Sequence, residues 1–148
     1  MRNKIIIIFS FSLLVLSCKK EIKSSEVFTD STTTVDLDSH NSENALDWQG
    51  IYKGVLPCAD CEGIETTVTL NKDKTFSLAT KYLGKGEGKV FIEKGSFTWD
   101  KTGTSVTLEG SRDRPSQYKV GENTLTQLDM QGNPITGQSA NLYILKKK

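Results

Sequence analysis

The feature of this sequence that most constrains its fold is a period-two alternation of apolar and polar residues. The alternation is clearest from Ile64 to Leu70, and it returns from Phe76 to Tyr82. Such alternation is typical of a strand with one face in a core and the other in solvent. The residues between the two runs, 71–74, are Asn-Lys-Asp-Lys and have turn chemistry, so the pair predicts a β-hairpin.

Further short runs follow, separated by segments that contain Gly, Pro, Asp and Asn: 90–92, 97–99, 106–108, 118–120, 124–128 and 142–145. With the segment from Trp48 to Leu56, about eight strands fit into roughly 100 residues, the spacing of a small antiparallel barrel or sandwich. No window has a helical period over more than two turns. The sequence therefore predicts one all-β domain over residues 48–148, large enough to bury its own core.

The interior of such a barrel is either filled by its own side chains or holds one small ligand, and the sequence leaves both readings open. Aromatic residues at alternating positions are expected to form core rather than a ligand cage. They are Tyr52, Phe76, Tyr82, Phe97, Trp99 and Tyr118.

The N-terminus has the features of a targeting segment. A basic start, Met1–Lys4, precedes an apolar run from Ile5 to Leu16 that only two serines interrupt. About 12 residues are too few to cross a bilayer, which takes about 20, and the pattern predicts a secretory signal peptide over residues 1–17.

The end of this segment, Leu-Val-Leu-Ser-Cys, resembles the lipobox of bacterial lipoproteins, in which the peptidase cuts before a cysteine that is then lipidated. The resemblance implies a lipidated Cys18 that holds the protein at a membrane, because several acyl chains anchor firmly where one binds only marginally. In an ordinary signal peptide Cys18 would be incidental, but the small residue directly before it favours the lipobox.

The next segment, residues 18–47, is polar and rich in Ser, Thr, Asp and Glu. Such a composition buries too little apolar surface to offset its ordering entropy, so we expect a disordered tether, about 30 Å in average span. His40, the single histidine of the chain, lies in this segment. We expect a solvated linker residue there rather than an auxiliary metal ligand.

The charge balance argues against nucleic acid as a partner. Without residues 1–17 the chain has 17 basic and 18 acidic residues, close to neutral. A protein that neutralises phosphates needs a basic excess, and none is present.

Cys58 and Cys61 are the residues expected to carry any specific chemistry. Two thiolates are soft ligands that suit Cu(I), provided that both are deprotonated. The pair could equally be a redox sensor that opens and closes with envelope oxidation, or a static disulfide that fastens a turn. These three readings stay open on the residues alone.

Other site types are less compatible with the sequence. Structural zinc takes four ligands, and the predicted domain offers no cysteine or histidine besides Cys58 and Cys61. Without a histidine, Ser-His-Asp and Cys-His mechanisms are excluded as well. We therefore expect a protein that is not an enzyme.

The segment Gly54–Thr66, GVLPCADCEGIET, resembles the N-terminal domain of the NlpE family of copper-resistance lipoproteins. Supporting matches at 82–84, 95–99, 128–129 and 132–135 follow in the family's order, so the resemblance covers most of the predicted domain from Trp48 onward. It implies an outer-membrane lipoprotein with a lipocalin-like barrel, linked to copper tolerance and to envelope-stress signalling through a two-component kinase. The enterobacterial member has a second, C-terminal barrel; this sequence ends at Lys148, and we do not expect that barrel's contacts here.

Together these features predict a lipid-anchored protein of the outer membrane, facing the periplasm rather than the cell surface. Its expected role is copper homeostasis or envelope-stress sensing through Cys58 and Cys61, with copper as the one candidate cofactor and an envelope sensor kinase as the candidate partner. The alternative function is a lipocalin-like carrier of a small apolar ligand or lipid.

Overall fold

The computed structural model describes residues 40–110 and 113–148. These residues form a closed barrel of eight antiparallel strands in sequence order, with the last strand paired to the first. The strands are β1 (Gly50–Leu56), β2 (Gly63–Leu70), β3 (Thr75–Leu83), β4 (Val90–Trp99), β5 (Ser105–Leu108), β6 (Gln117–Gly121), β7 (Thr124–Gln127) and β8 (Ile144–Lys147). The predicted all-β antiparallel barrel is thus confirmed.

The described residues contain little helix. A four-residue helix, α1 (Ser42–Ala45), precedes the barrel, and 3₁₀ turns occupy Gly86–Gly88 and Ala140–Tyr143. Over the two described ranges, no helix has the length and hydropathy required to cross a membrane. The predicted signal peptide (1–17), the predicted lipidation site Cys18 and the predicted tether up to residue 39 lie outside these ranges.

The hairpin predicted from the alternation is present as β2 and β3, whose last pair before the turn is Leu70 with Phe76. The turn closes because the Asn71 N–H donates to the Thr75 carbonyl at 2.9 Å. The Asp73 carboxylate accepts the Thr75 N–H at 3.1 Å and its hydroxyl at 2.7 Å. Polar residues between the two runs therefore form the turn by bonding their own backbone.

One strand assignment differs from the sequence analysis. The runs 90–92 and 97–99 were predicted as two strands separated at Gly95, but they form the single strand β4. Gly95 faces Phe76, and a Cβ atom there would lie 3.0 Å from the Phe76 ring. The glycine makes room for an aromatic ring inside the barrel instead of ending the strand.

The barrel closes where β1 meets β8, in the pairs Tyr52–Lys147 and Lys53–Lys146. Gly54 lies beside this seam, and a Cβ atom there would approach the Leu145 side chain to 2.9 Å and the Ile144 carbonyl oxygen to 3.1 Å. A residue without a side chain thus lets the two terminal strands come into contact.

The interior is filled by side chains over most of its length. Its buried core consists of Trp48, Tyr52, Leu56, Val68, Leu70, Phe76, Leu78, Phe97, Val106, Leu108, Tyr118, Val120, Leu125 and Leu145. Four of the six aromatics predicted as core are fully buried, Trp99 packs against the core at its edge, and Tyr82 is 40% exposed. Tyr82 departs from the prediction because it lies near the end of β3, where the barrel opens.

One end of the barrel is closed by aromatic rings. The Trp48 ring meets Phe97 edge-on with ring centroids 5.8 Å apart, and it meets Trp99 at 5.6 Å. The Tyr52 hydroxyl donates to the Trp48 carbonyl at 2.7 Å, which fixes the chain as it enters β1. We call this the closed end, and the opposite end, where β1 finishes and β2 begins, the mouth.

The packed region begins before residue 48, the boundary predicted between tether and domain. The Glu43 N–H donates to the Gly103 carbonyl at 3.0 Å, and the Ser42 hydroxyl donates to the Val120 carbonyl at 2.7 Å. Leu46 packs against the core. Residues 41–47 are too polar to suggest a fold, yet hydrogen bonds to the β4–β5 turn and to β6 hold them on the closed end.

Candidate metal and redox site at the barrel mouth

The two cysteines lie in the six-residue loop 57–62 that joins β1 to β2 at the mouth. The last strand pair before the loop is Leu56 with Ile64. Gly63 follows with φ of 152°, and a Cβ atom there would lie 2.6 Å from Val55 Cγ1. The Glu62 N–H donates to the Leu83 carbonyl at 3.2 Å and so fastens the loop to the end of β3.

Cys58 and Cys61 are joined by a disulfide bond with their Cα atoms 5.3 Å apart. Both residues are half-buried at the surface of the mouth. Cys58 Sγ lies 3.5 Å from Asp60 Oδ1, and Cys61 Sγ lies 3.3 Å from the Gly63 carbonyl oxygen. The structure thus describes the oxidised pair, and its use for metal binding or sensing stays a prediction.

The same loop has the donor atoms for a metal site once the disulfide is reduced. The ligand atoms of Cys58, Asp60 and Cys61 all lie within 4.8 Å of one another. Two thiolates suit Cu(I), whereas the hard carboxylate oxygen of Asp60 adds little for so soft an ion. His40 precedes α1, which packs on the closed end, and it is not part of this group.

Asp60 is held by an ion pair that the sequence did not predict. Its carboxylate pairs with Lys85, which lies in the glycine-rich loop between β3 and β4. The hydrogen bond from Lys85, followed by its positive charge, holds the pKa of Asp60 below its usual range. Lys85 is the one basic residue in the run 84–88, and it was the only sequence signal for this ion pair. Sequence spacing does not reveal which acidic residue it contacts.

A cavity of about 240 Å³ opens beside the disulfide loop. Its lining combines apolar and polar side chains, and it comprises Leu56, Pro57, Ile64, Thr66, Leu78, Thr80, Tyr82, Arg114, Pro115, Tyr118, Gln127 and Tyr143. Gln127 Nε2 donates to the Tyr118 hydroxyl at 3.3 Å, and burial raises the pKa of Tyr118. Arg114 pairs with Glu93 of β4. The barrel is therefore filled toward the closed end and has a cavity at its mouth.

Comparison with proteins of known sequence supports a family assignment. The family model described as the NlpE N-terminal domain matches residues 52–138. Lipoprotein NlpE of Escherichia coli K12 is 43% identical over 88 residues, which are 59% of this chain and 36% of that protein. The 17 kDa lipoprotein of Treponema pallidum is 65% identical over 26 residues, 18% of this chain and 17% of that one. The matches thus span about a third or less of these relatives' lengths.

Two solved structures share the fold. A putative lipoprotein from Shewanella oneidensis matches with a TM-score of 0.67 and 53% identity, over 74% of this chain and 96% of that chain. The Cpx pathway activator NlpE from E. coli matches with a TM-score of 0.50 and 39% identity, over 60% of this chain and 46% of that one. Since the family model covers more than half of the sequence and includes Cys58 and Cys61, this chain belongs to the NlpE family through its N-terminal barrel domain.

Proposed function

We propose that this protein is a non-enzymatic lipoprotein of the bacterial outer membrane that responds to copper or to oxidation through Cys58 and Cys61. The observation that carries the proposal is the placement of the pair. Both sulfur atoms lie in one loop at the barrel mouth, half-buried and beside Asp60, where a reductant or a metal ion can reach them.

The chemistry follows from the disulfide in the structure. Reduction by a dithiol donor breaks the S–S bond, adds two electrons and two protons to the pair, and oxidises the donor to its own disulfide. Cu(I) binding then displaces the two protons from the thiols, because thiolates are the ligands. The oxidised and reduced forms therefore differ in metal affinity, which is the property that a sensor of either signal requires.

The cellular setting is proposed from the lipobox and the relatives. Both curated relatives are lipoproteins, and the E. coli structure is that of a Cpx pathway activator. From these similarities we infer a lipid anchor at Cys18 and a location of the protein on the periplasmic face of the outer membrane. We infer an envelope sensor kinase as its signalling partner.

The test is a Cu(I) titration of the reduced barrel, residues 40–148, against a competing chelator. A barrel of this extent folds by itself in the S. oneidensis relative, whose chain the match covers to 96%. We expect one equivalent to bind tightly in the wild type and in Asp60→Asn, but not in the Cys58→Ser/Cys61→Ser variant. Equal, weak binding by all three proteins would remove the copper part of the proposal.

A second titration addresses the redox part. The fraction of reduced Cys58–Cys61 is measured in buffers of defined dithiol-to-disulfide ratio. A reversible midpoint within the range of envelope thiol couples supports redox sensing. A pair that stays oxidised throughout this range is a static structural disulfide, and the redox part is then wrong.

The cavity at the mouth favours a second function, that of a carrier for a small apolar ligand. Its volume of about 240 Å³ is slightly below the usual range for ligand sites, so only a small molecule or the end of a chain would fit. Displacement of a fluorescent fatty acid by unlabelled ligand tests this function. We expect Thr80→Trp, which fills the cavity, to abolish binding, and Lys119→Trp on the exposed outer face to leave it unchanged.

A further inference from the structure

In the part of the chain that the structure describes, the first half of β4 is paired with a strand on one side only. On one side β4 pairs with β3 from Val90 to Ser96, but on the other side β5 pairs only with Phe97–Trp99. We call residues 90–94 the β4 edge. Within the described ranges, no strand pairs with its outer side.

The backbone groups of this edge have a defined direction. The Phe97 N–H donates to the Lys74 carbonyl toward β3, at 2.8 Å, whereas the Ser96 carbonyl accepts the Glu109 N–H toward β5, at 2.9 Å. Because successive residues of a strand alternate in direction, Val90, Ile92 and Lys94 present their N–H and C=O groups outward, as Ser96 does. Such a row is a template for another strand.

Large apolar side chains on and beside this edge are exposed to an unusual degree. Val90 is 51% exposed, Phe91 45% and Ile92 63%, and Tyr82, which meets Phe91 edge-on, is 40% exposed. An edge that carries contiguous apolar groups, and backbone groups that no described strand pairs, favours association.

The charges around Phe91 are complementary about a twofold axis, and Glu93 also pairs with Arg114 of its own chain. Lys89 and Glu93 lie two residues before and two residues after Phe91, on the same face of the strand, and the Lys89 ammonium lies 5.2 Å from the centroid of the Phe91 ring. If two copies pair antiparallel about a twofold axis at Phe91, each Glu93 lies opposite Lys89 of the second copy. The same register sets Val90 opposite Ile92 of the second copy.

We propose that the β4 edge is a docking surface for a second copy of this chain, paired antiparallel about Phe91. Pairs of Val90 with Ile92 across the axis would exchange backbone hydrogen bonds, because both residues present those groups outward. A register shifted by two residues on each strand would place Glu93 opposite Glu93, and like charges directly opposite are unfavourable. The interface is isologous, so it closes as a dimer.

Charge reversal tests both the surface and the register. Sedimentation of the barrel, residues 40–148, is followed from micromolar to millimolar concentration for the wild type, Lys89→Glu, Glu93→Lys and a one-to-one mixture of the two variants. Each variant alone sets like charges opposite each other across the axis. In the mixed pair every acid again faces a base.

We expect a concentration-dependent dimer for the wild type, loss of the dimer for each single variant, and its return in the mixture. Glu93 also pairs with Arg114 of its own chain, so circular dichroism verifies that Glu93→Lys is folded. Ile92→Pro, which removes an outward N–H, should abolish the dimer as well, whereas Ile51→Lys should not. Ile51 is the matched control because it is 49% exposed on β1, which is paired on both sides.

A wild type that remains monomeric at every concentration overturns the proposal. The proposal is also overturned if the single variants dimerise to the same extent as the wild type, because the dimer would then use another surface. A mixture that stays monomeric while the wild type dimerises refutes the pairing about Phe91.

Discussion

Asp60 and Lys85 form an ion pair that joins the disulfide loop to the glycine-rich loop between β3 and β4. The two residues are 25 positions apart in the chain and meet only because β2 and β3 bring their loops to the same end of the barrel. A change at the cysteines therefore has a direct path to a second loop of the mouth.

We expect Lys85→Gln to loosen both loops without unfolding the barrel, because an ion pair exposed to water contributes little to global stability. Amide hydrogen exchange is the measurement. The Glu62 N–H, bonded to Leu83, and the Lys89 N–H, bonded to Gly86, should exchange faster than in the wild type. Lys53→Gln is the matched control, since it breaks the Lys53–Glu65 pair on the barrel wall and should leave both amides unchanged.

The ion pair also predicts a pH dependence. The pKa of Asp60 is lowered in the folded protein, so the contact is present above the usual carboxylate pKa and is lost as the pH falls through the lower folded value. The rate of hydrogen exchange at the Glu62 amide, corrected for the intrinsic pH dependence of exchange, should therefore rise only at acidic pH. An unchanged acid profile in Lys85→Gln would contradict this assignment.

Reduction of the Cys58–Cys61 disulfide should lower the free energy of unfolding by only about 1–2 kcal/mol, because the closed loop is very short. The core lies below the loop and does not depend on it. Urea unfolding with and without a dithiol reductant measures the difference. The Cys58→Ser/Cys61→Ser variant should show no effect of reductant, and a reduced protein that no longer folds would contradict the expectation.

Gly63→Ala should destabilise the barrel by about 1–3 kcal/mol, because a strained backbone conformation and a steric clash combine. Its φ is 152°, and a Cβ atom would lie 2.6 Å from Val55 Cγ1. Gly86→Ala is the control: its φ is 66° with nothing within 4 Å of the added atom, so only the backbone cost of about 1 kcal/mol remains. Thermal or urea unfolding should rank Gly63→Ala as the more damaging change.

Tyr52 makes the barrel sensitive to alkali. Burial, with a smaller contribution from the charge of Asp47, raises the pKa of Tyr52 to about 12. A pKa above the unfolded value of 10 means that Tyr52 contributes its full stability below pH 10 and loses it as the pH rises toward 12. At pH 11 the loss from this residue should be roughly 1 kcal/mol relative to pH 9.

Tyr52→Phe removes that alkaline loss, so its free energy of unfolding should fall less between pH 9 and pH 11 than that of the wild type. At neutral pH the variant should be less stable by about 1 kcal/mol, because the Trp48 carbonyl loses the donor that lies at 2.7 Å. Urea unfolding at the three pH values measures both effects. Equal alkaline losses in the two proteins would show that Tyr52 is not the group that titrates.

Much of the barrel could be predicted from local pattern. The β2–β3 hairpin follows from alternation on both sides of a polar turn, and Phe76 and Phe97 are buried as expected. The continuity of β4 could not be predicted from local pattern. Gly95 indicates a break between two strands unless it is known that the ring of Phe76 lies opposite it. The exposure of Tyr82 also depends on the tertiary structure. Its position in the alternation predicts burial, but its strand ends at the open mouth of the barrel.

The candidate site divides in a similar way. Cys58 and Cys61 were evident as a pair, because only two residues separate them and this spacing alone brings the sulfur atoms into reach of each other. Lys85 and the cavity lined by Arg114 and Tyr143 were not evident, since these residues come from three other loops of the mouth. Only the order in which the strands pair decides that these loops share one end.

The sequence by itself determined most of the strands, most of the faces they bury and the cysteine pair, because each is encoded by residues within a few positions of one another. The tertiary structure alone decided the closure of β1 on β8, the packing of Ser42 against Val120, and the meeting of Asp60 with Lys85. Each of these contacts joins residues far apart in the chain. Their partners are selected by the path of the whole backbone, which leaves no periodic signal in the sequence.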